Sequence, residues 1–212
     1  MSQVRHRQAI TLVAVALSVA LSVAPAGASA AAHFEPAGDN FESGSVPVSF
    51  KLENEGAINC PSMQLPRIVS ALDGTVAALK GKVTFPKSCT SQNLGGLVFE
   101  GRGTTGWMMH PFASPLAAAF LPREISGQRP LEFVSGTCTL SVPTVAEIKG
   151  SWVNGVGGSA SALTFSEASV GITASASCPS IVQAASDGKE SLFSGSFAFK
   201  DITNPGSSIV IN

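Results

Sequence analysis

Short apolar runs separated by turn residues make up most of the chain after residue 44. The runs are rich in Val, Ile, Phe and Thr, and Gly, Pro, Asn or Asp interrupts them about every eight to twelve residues, which is typical of antiparallel β-structure. Tight turns are predicted at Asp73-Gly74, Asn154-Gly155 and Asp187-Gly188. The predicted strands are residues 46–52, 75–85, 97–101, 131–134, 137–142, 146–153, 162–165, 169–175, 191–200 and 208–211.

The strand pattern is clearest near the end of the chain. Phe193, Gly195, Phe197 and Phe199 fall on one face of an extended segment, and small or charged residues fall on the other. Such alternation predicts a strand with one buried face. Helix is a minor component, because the best helical candidate is a single apolar run at residues 114–120.

The two halves of the predicted β region resemble each other weakly. Each half contains one pair of cysteines with similar apolar runs around them. We therefore predict an all-β, antiparallel, sandwich-like fold with two tandem modules, residues 45–115 and 116–212, each held by its own disulfide. One larger sandwich is the alternative. Residues 31–44 are polar and acidic, which predicts a flexible arm before the first module.

The first 30 residues have the pattern of a secretory signal peptide. Arg5 and Arg7 precede an uncharged apolar run at residues 9–24, and Ala28 and Ala30 supply the small side chains that signal peptidase requires. Cleavage at this point predicts an exported, secreted or cell-surface protein without a membrane span. An uncleaved anchor is the alternative, but the apolar run has 16 residues, whereas a span needs about 20.

The four cysteines predict two disulfides, because an even number of cysteines in an exported chain is typical of disulfide-bonded proteins. The closest two are 29 residues apart, whereas zinc sites use closely spaced pairs, so we predict no metal site. Three pairings are possible. The similarity of the two halves favours Cys60 with Cys89 and Cys138 with Cys178.

Charge gives no reason to expect nucleic acid or an anionic membrane as a partner. The chain has 13 basic and 14 acidic residues, and two of the basic residues lie in the leader, so residues 31–212 carry a formal charge of −3. Residues 101–106 have the glycine spacing of a dinucleotide-binding loop. Pro111 follows where that site needs a helix, so we predict no cofactor.

The most distinctive segment is Gly-Trp-Met-Met-His-Pro-Phe at residues 106–112. It concentrates large, adaptable side chains after a Gly-rich approach, which is typical of a surface that contacts sugar, peptide or lipid. The predicted ligand-binding residues are Trp107, Met108, Met109, His110 and Phe112. The alternative is that these residues fill the core, where Trp and Met are commoner.

The sequence contains no catalytic signature. A Gly-x-Ser-x-Gly motif is absent, and His110 is the only histidine beyond the predicted arm and the leader. We therefore favour an exported non-catalytic protein that binds an extracellular ligand, such as a glycan, peptide or cell-wall component, or has a structural role at the cell surface. The alternative is a secreted glycosidase-like hydrolase whose two carboxylates are distant in sequence. A protease inhibitor that uses residues 89–96 is a third possibility.

The chain resembles a loose group of exported, β-rich, cysteine-containing actinobacterial proteins of unknown function. The features that carry the resemblance are the Ala-rich leader, cysteines separated by several tens of residues, Cys178-Pro179, and a final Phe-x-Gly-x-Phe strand at residues 193–197. The resemblance covers most of residues 45–212. It implies export and β architecture, and it implies no catalytic residues.

Overall fold

The structure is a computed structural model that describes residues 31–143, 147–186 and 190–212. The predicted signal peptide, residues 1–30, and the predicted Asp187-Gly188 turn lie outside these residues. The described elements are β1 (Phe34–Glu35), β2 (Asn40–Ser43), β3 (Val46–Lys51), β4 (Ala57–Met63), β5 (Ile68–Ser70), β6 (Ala77–Leu79), β7 (Cys89–Gln92), β8 (Val98–Gly103), β9 (Met108–Ala113), β10 (Leu116–Leu121), β11 (Leu131–Ser135), β12 (Cys138–Val142), β13 (Ile148–Val153), β14 (Ser161–Gly171), β15 (Thr173–Ala174), α1 (Ser180–Ser186), β16 (Glu190–Asp201) and β17 (Val210–Ile211).

Eight strands close into a barrel, which we call the first barrel. Their order is β14, β13, β10, β9, β6, β5, β2 and β16, and β16 pairs again with β14. Every pair is antiparallel. The all-β prediction is confirmed. The structure has a closed barrel in place of the predicted sandwich. The prediction failed on this point because local alternation is the same in both folds, and only the pairing of distant strands distinguishes them.

A second set of strands starts from the same β16 and runs through β3, β4, β7, β8, β11 and β12 to β15. β15 follows β14 after the single residue Ile172, so this set also returns to the β14–β16 pair. We call it the second ring. The change from one set to the other occurs at an irregularity in β14 between Phe165 and Ala168, where Glu167 has φ 53°. The long strands β14 and β16 are therefore shared.

The predicted alternation of β16 is confirmed, and its aromatic residues join the two halves of the core. Phe197 and Phe199 are buried in the first barrel, and Phe193 is buried against Phe50 in the second ring, with ring centroids 5.0 Å apart. Phe165 of β14 lies 5.1 Å from Phe193 and 6.1 Å from Phe197. Packed side chains thus fill the interior around the shared strands.

Both predicted disulfides are present, and all four cysteines are paired. Cys60 of β4 bonds to Cys89 of β7, and Cys138 of β12 bonds to Cys178 just before α1. The pairing prediction is confirmed. The two bonds do not hold one module each, because β4, β7 and β12 all belong to the second ring. The first barrel is held by packing and backbone hydrogen bonds.

The strand pairings do not follow the predicted division into residues 45–115 and 116–212. β9 and β10, on either side of the division, pair with each other, and β16 pairs with β2 and β3. In place of the predicted flexible arm at residues 31–44, the structure has β1 and β2, in which Phe34 and Phe41 are buried. The arm looked polar because these strands are too short to show their alternation.

The predicted helical candidate at residues 114–120 is largely strand β10. The helix of the described chain is instead α1, whose Val182 and Ala185 are buried. Gln183 of α1 donates a hydrogen bond from Nε2 to the carbonyl of Cys178, at 2.7 Å. No helix in the described ranges is long and apolar enough to cross a membrane.

Candidate functional site

Strand β9 carries most of the residues predicted to bind a ligand, and its alternation divides them between the inside and the outside of the first barrel. Trp107, which precedes β9, and Met109 are 1% and 0% exposed. Met108, His110 and Phe112 are half-buried and belong to the opposite, outer face. Trp107 and Met109 are therefore core residues, as in the alternative interpretation, and are not part of a contact surface.

Trp107 fixes the connection between the second ring and the first barrel. Its indole Nε1 donates a hydrogen bond to Thr104 Oγ1 at 3.3 Å, and the Thr104 hydroxyl donates to the carbonyl of Arg123 at 2.9 Å. Its ring packs edge-on against Phe120, with centroids 6.1 Å apart. The residues 104–107 join β8 to β9, so this buried network holds the two sets of strands together.

The outer face of β9 is a small apolar strip with one cation beside it. Phe112 and His110 lie opposite Ala117 and Ala119 of β10, which are themselves buried. The Nζ atom of Lys149 lies 4.1 Å from the centre of the Phe112 ring, a distance at which a cation is attracted to the ring face. This strip is what remains of the predicted contact surface.

A groove on the second ring brings together three cationic side chains that are far apart in sequence. Lys82, Arg102 and Arg129 line it together with Phe85 and Glu132, and its volume is about 430 Å³. We call it the cationic groove. Sequence reasoning missed it because its residues come from three separate segments, and no motif links them.

Two glycines of β8, on the face opposite to Arg102, allow residues 83–85 to pack closely against this strand. A Cβ atom at Gly101 would lie 2.5 Å from Cγ of Phe85, and one at Gly103 would lie 2.6 Å from Cβ of Val83. Real Cβ atoms do not approach other atoms so closely, so glycine allows the chain at residues 83–85 to lie directly on β8. The glycine spacing of residues 101–106 thus serves strand packing.

Residues 83–85 lie between two other segments of the chain, and Thr84 pairs with both. Thr84 forms antiparallel bridges with Gln64 and with Arg102. The backbone of Thr84 accepts a hydrogen bond from Gln64 N at 2.8 Å and donates one to the Gln64 carbonyl at 3.0 Å. At this point the edge of β8 is therefore already occupied by backbone. The groups of the groove that remain available to a ligand are therefore its side chains.

The cations of the groove have weak or no carboxylate partners. Arg102 Nη2 lies 3.3 Å from Glu100 Oε2, and Arg129 Nη1 lies 3.0 Å from Glu124 Oε2. The side chains of Arg102 and Arg129 are 61% and 49% exposed, so each ion pair contributes only about 0–1 kcal/mol. Within the residues that the structure describes, Lys82 has no ion-pair partner.

A cleft at one end of the first barrel contains a second cluster of titratable side chains. His33 Nε2 lies 2.9 Å from Glu35 Oε1, and His33 Nδ1 lies 3.3 Å from the carbonyl of Ala31. The hydrogen bond to Glu35 raises the pKa of His33, and the contact with Ala31 raises it further. Ser208 also lines this cleft. Both ring nitrogens of His33 are engaged, so neither is left to activate the hydroxyl of Ser208.

A pair of carboxylates placed for glycoside hydrolysis would need to converge in one cleft. Glu42 and Asp201 line the same cavity. Glu42 pairs with Lys200 and Phe41 with Asp201, so the two acidic side chains lie on opposite faces of the sheet. Asp201 Oδ1 instead accepts hydrogen bonds from the backbone of the following turn. In the described part of the chain, no group of three or more His, Cys, Asp or Glu side chains could hold a metal ion.

Comparison with known proteins gives no relative for this arrangement. No protein-family model matches the chain, and neither a curated protein nor a solved structure is significantly similar to it. The candidate sites are therefore judged on their own geometry. The cationic groove gathers three basic side chains in one concave surface, whereas the outer strip of β9 has one cation beside its apolar side chains.

Proposed function

We propose that residues 31–212 form an exported, non-catalytic protein that binds an extracellular ligand, such as a glycan or cell-wall component, in the cationic groove. The proposal includes cleavage of the leader and kinship with the exported actinobacterial proteins that the sequence resembles. The leader pattern supports export, and so do two disulfides, which persist in oxidising compartments.

The observation that carries the proposal is the cationic groove itself. It gathers Lys82, Arg102 and Arg129 in one concave surface of a chain whose residues 31–212 carry a net charge of −3. Ligand sites are concave and combine apolar surface with a few polar groups that fix the ligand. The groove is concave and carries several such polar groups, and neither a nucleophile–base pair nor a second carboxylate accompanies them among the described lining residues.

The test is a glycan and cell-wall polymer array probed with the purified protein. The double variant Arg102→Glu/Arg129→Glu is expected to lose the bound ligand, because it reverses two of the three positive charges. Lys149→Glu, on the outer face of the first barrel, is the matched control and is expected to keep it. Loss of binding in the control alone would move the site to the strip of β9. Release of shortened products from a bound glycan would overturn the non-catalytic role.

A further inference from the structure

We infer that the protein also inhibits a secreted serine protease that cleaves after lysine, and that it does so through Phe85-Pro86-Lys87-Ser88. We call these residues the 85–88 loop. The inference adds a second partner and does not depend on a ligand in the cationic groove. A protein inhibitor of this kind presents a short stretch of chain that the protease binds like a substrate. It binds tightly because that stretch is held in the bound conformation beforehand.

The backbone of the 85–88 loop is free to pair with a protease. Within the ranges that the structure describes, residues 85–88 form no hydrogen bond, and residues 86–88 are exposed. Extended segments bind a partner by pairing their backbone with a strand edge, and in antiparallel pairing the hydrogen-bonded residues alternate. Pro86 has no N–H, but it lies between Phe85 and Lys87, whose N–H groups remain available.

The chain is anchored immediately before the loop. Thr84 forms bridges with both Gln64 and Arg102, and its N–H donates to the Gln64 carbonyl at 3.0 Å. The ring of Phe85 packs edge-on against Phe133, with centroids 5.5 Å apart. The first residue of the loop is therefore fixed by the core of the second ring.

The chain is anchored again immediately after the loop. Cys89 is fully buried, bonds to Cys60 and pairs with Phe99 of β8. The inhibitory segment considered from the sequence, residues 89–96, begins with β7, which is paired with β4 on one side and β8 on the other. Its backbone is occupied at that point, so the free stretch is the one that precedes Cys89.

Lys87 sets the specificity of the loop. Among the described residues it has no ion-pair or hydrogen-bond partner, and its side chain is exposed. Proteases that cleave after lysine hold the ammonium group against a carboxylate in their specificity pocket. Other exposed lysines lack a free backbone, since Lys149 and Lys200 lie in paired strands and Lys82 precedes the buried Val83. The bond presented to a protease is therefore the one after Lys87.

The two anchors also explain why a bound protease would not consume the loop. Attack of the protease serine on the carbonyl carbon of Lys87 forms an acyl ester, and the serine proton passes through the protease histidine to the amine of Ser88. That amine stays in place, because the next residue is the anchored Cys89. Its return attack on the ester restores the peptide bond and the free serine, so the loop persists as an intact chain.

The test is inhibition of trypsin by the purified protein with both disulfides intact, measured with a chromogenic lysine substrate. We expect an inhibition constant of about 1 μM or lower, because protease–inhibitor interfaces are among the tightest of their size. Lys87→Ala should weaken inhibition by about 100-fold or more, since it leaves the carboxylate of the protease pocket without a partner. Lys82→Ala is the matched control, and it should inhibit like the parent protein.

A change of specificity separates this role from simple loss of structure. Lys87→Phe should lose inhibition of trypsin and gain inhibition of chymotrypsin, whose specificity pocket is a hydrophobic slot. A variant that had merely unfolded would gain no new target.

Three results would overturn the inference. They are a parent protein that does not inhibit trypsin, inhibition that survives in Lys87→Ala, and rapid cleavage after Lys87 with loss of inhibition, which would show an ordinary substrate. None of them bears on the cationic groove, because the array with Arg102→Glu/Arg129→Glu tests the proposed function separately.

Discussion

Replacement of Trp107 by alanine tests whether the residues around β9 serve the core or a ligand. The indole is 1% exposed, packs against Phe120 and donates a hydrogen bond to Thr104. Truncation of a buried Trp costs about 3–5 kcal/mol, because the surrounding side chains close the cavity only in part. A whole domain is stabilised by about 5–15 kcal/mol, so the variant should lose a large share of its free energy of unfolding.

Thermal unfolding with both disulfides intact measures this loss. In a domain of this size, 1 kcal/mol shifts Tm by about 2–4 °C, so Trp107→Ala should lower Tm by about 6–20 °C. Met108→Ala is the control, because its side chain faces outward from the neighbouring position, and it should lower Tm by less than about 4 °C. A Tm loss below about 2 °C for Trp107→Ala would refute the assignment to the core. Weaker ligand binding in addition would place Trp107 on the contact surface.

Three further predictions concern strand packing, the disulfides and the barrel end. Gly150→Ala should lower Tm, because the new Cβ atom would lie 2.7 Å from the carbonyl oxygen of Thr164. The control Gly44→Ala places its Cβ in open space and should not lower Tm. Equal Tm values for the two variants would contradict the close approach at Gly150. Cys138→Ser/Cys178→Ser should reduce the free energy of unfolding by about 4 kcal/mol in urea titration, and an unchanged midpoint would exclude a stabilising bond. The contact with Glu35 raises the pKa of His33 in the folded state above its value of about 6.5 in the unfolded state. The contact therefore stabilises the fold at pH values below about 6.5, and this contribution is lost as the pH rises through the folded-state pKa. His33→Ala should therefore lower Tm near pH 5.5 and not near pH 9, and a pH-independent difference would argue against this pair.

Local alternation was sufficient to predict strands whose two faces differ, such as β16 and β13. It failed for β10, because Ala117 and Ala119 face outward and are still only 4% and 0% exposed. A strand covered on both faces has no period of two, and its apolar run at residues 114–120 therefore resembled a helix. Residues 106–112 were assigned to a contact surface because of their large, adaptable side chains, although residues 107–112 alternate between the inside and the outside of the first barrel.

The closure of the sheets could not be predicted, because it depends on which distant strands pair. β2 and β3 lie near the start of the described chain and pair with β16 near its end. The disulfide pairing was predictable, although the reason given for it, one disulfide in each tandem module, does not describe the strand order. Lys82, Arg102 and Arg129 meet only through this closure, so the cationic groove left no signal in the sequence.

The sharing of β16 has a consequence for the order in which the protein can fold. β16 is the last strand but one of the described chain, and both the first barrel and the second ring need it. As the polypeptide emerges from the ribosome, neither can be completed until residues 190–201 have been made, and the earlier strands keep unpaired edges in the meantime. Contacts between such distant segments also form slowly. A chaperone that covers these edges during biogenesis would therefore protect the nascent chain from aggregation.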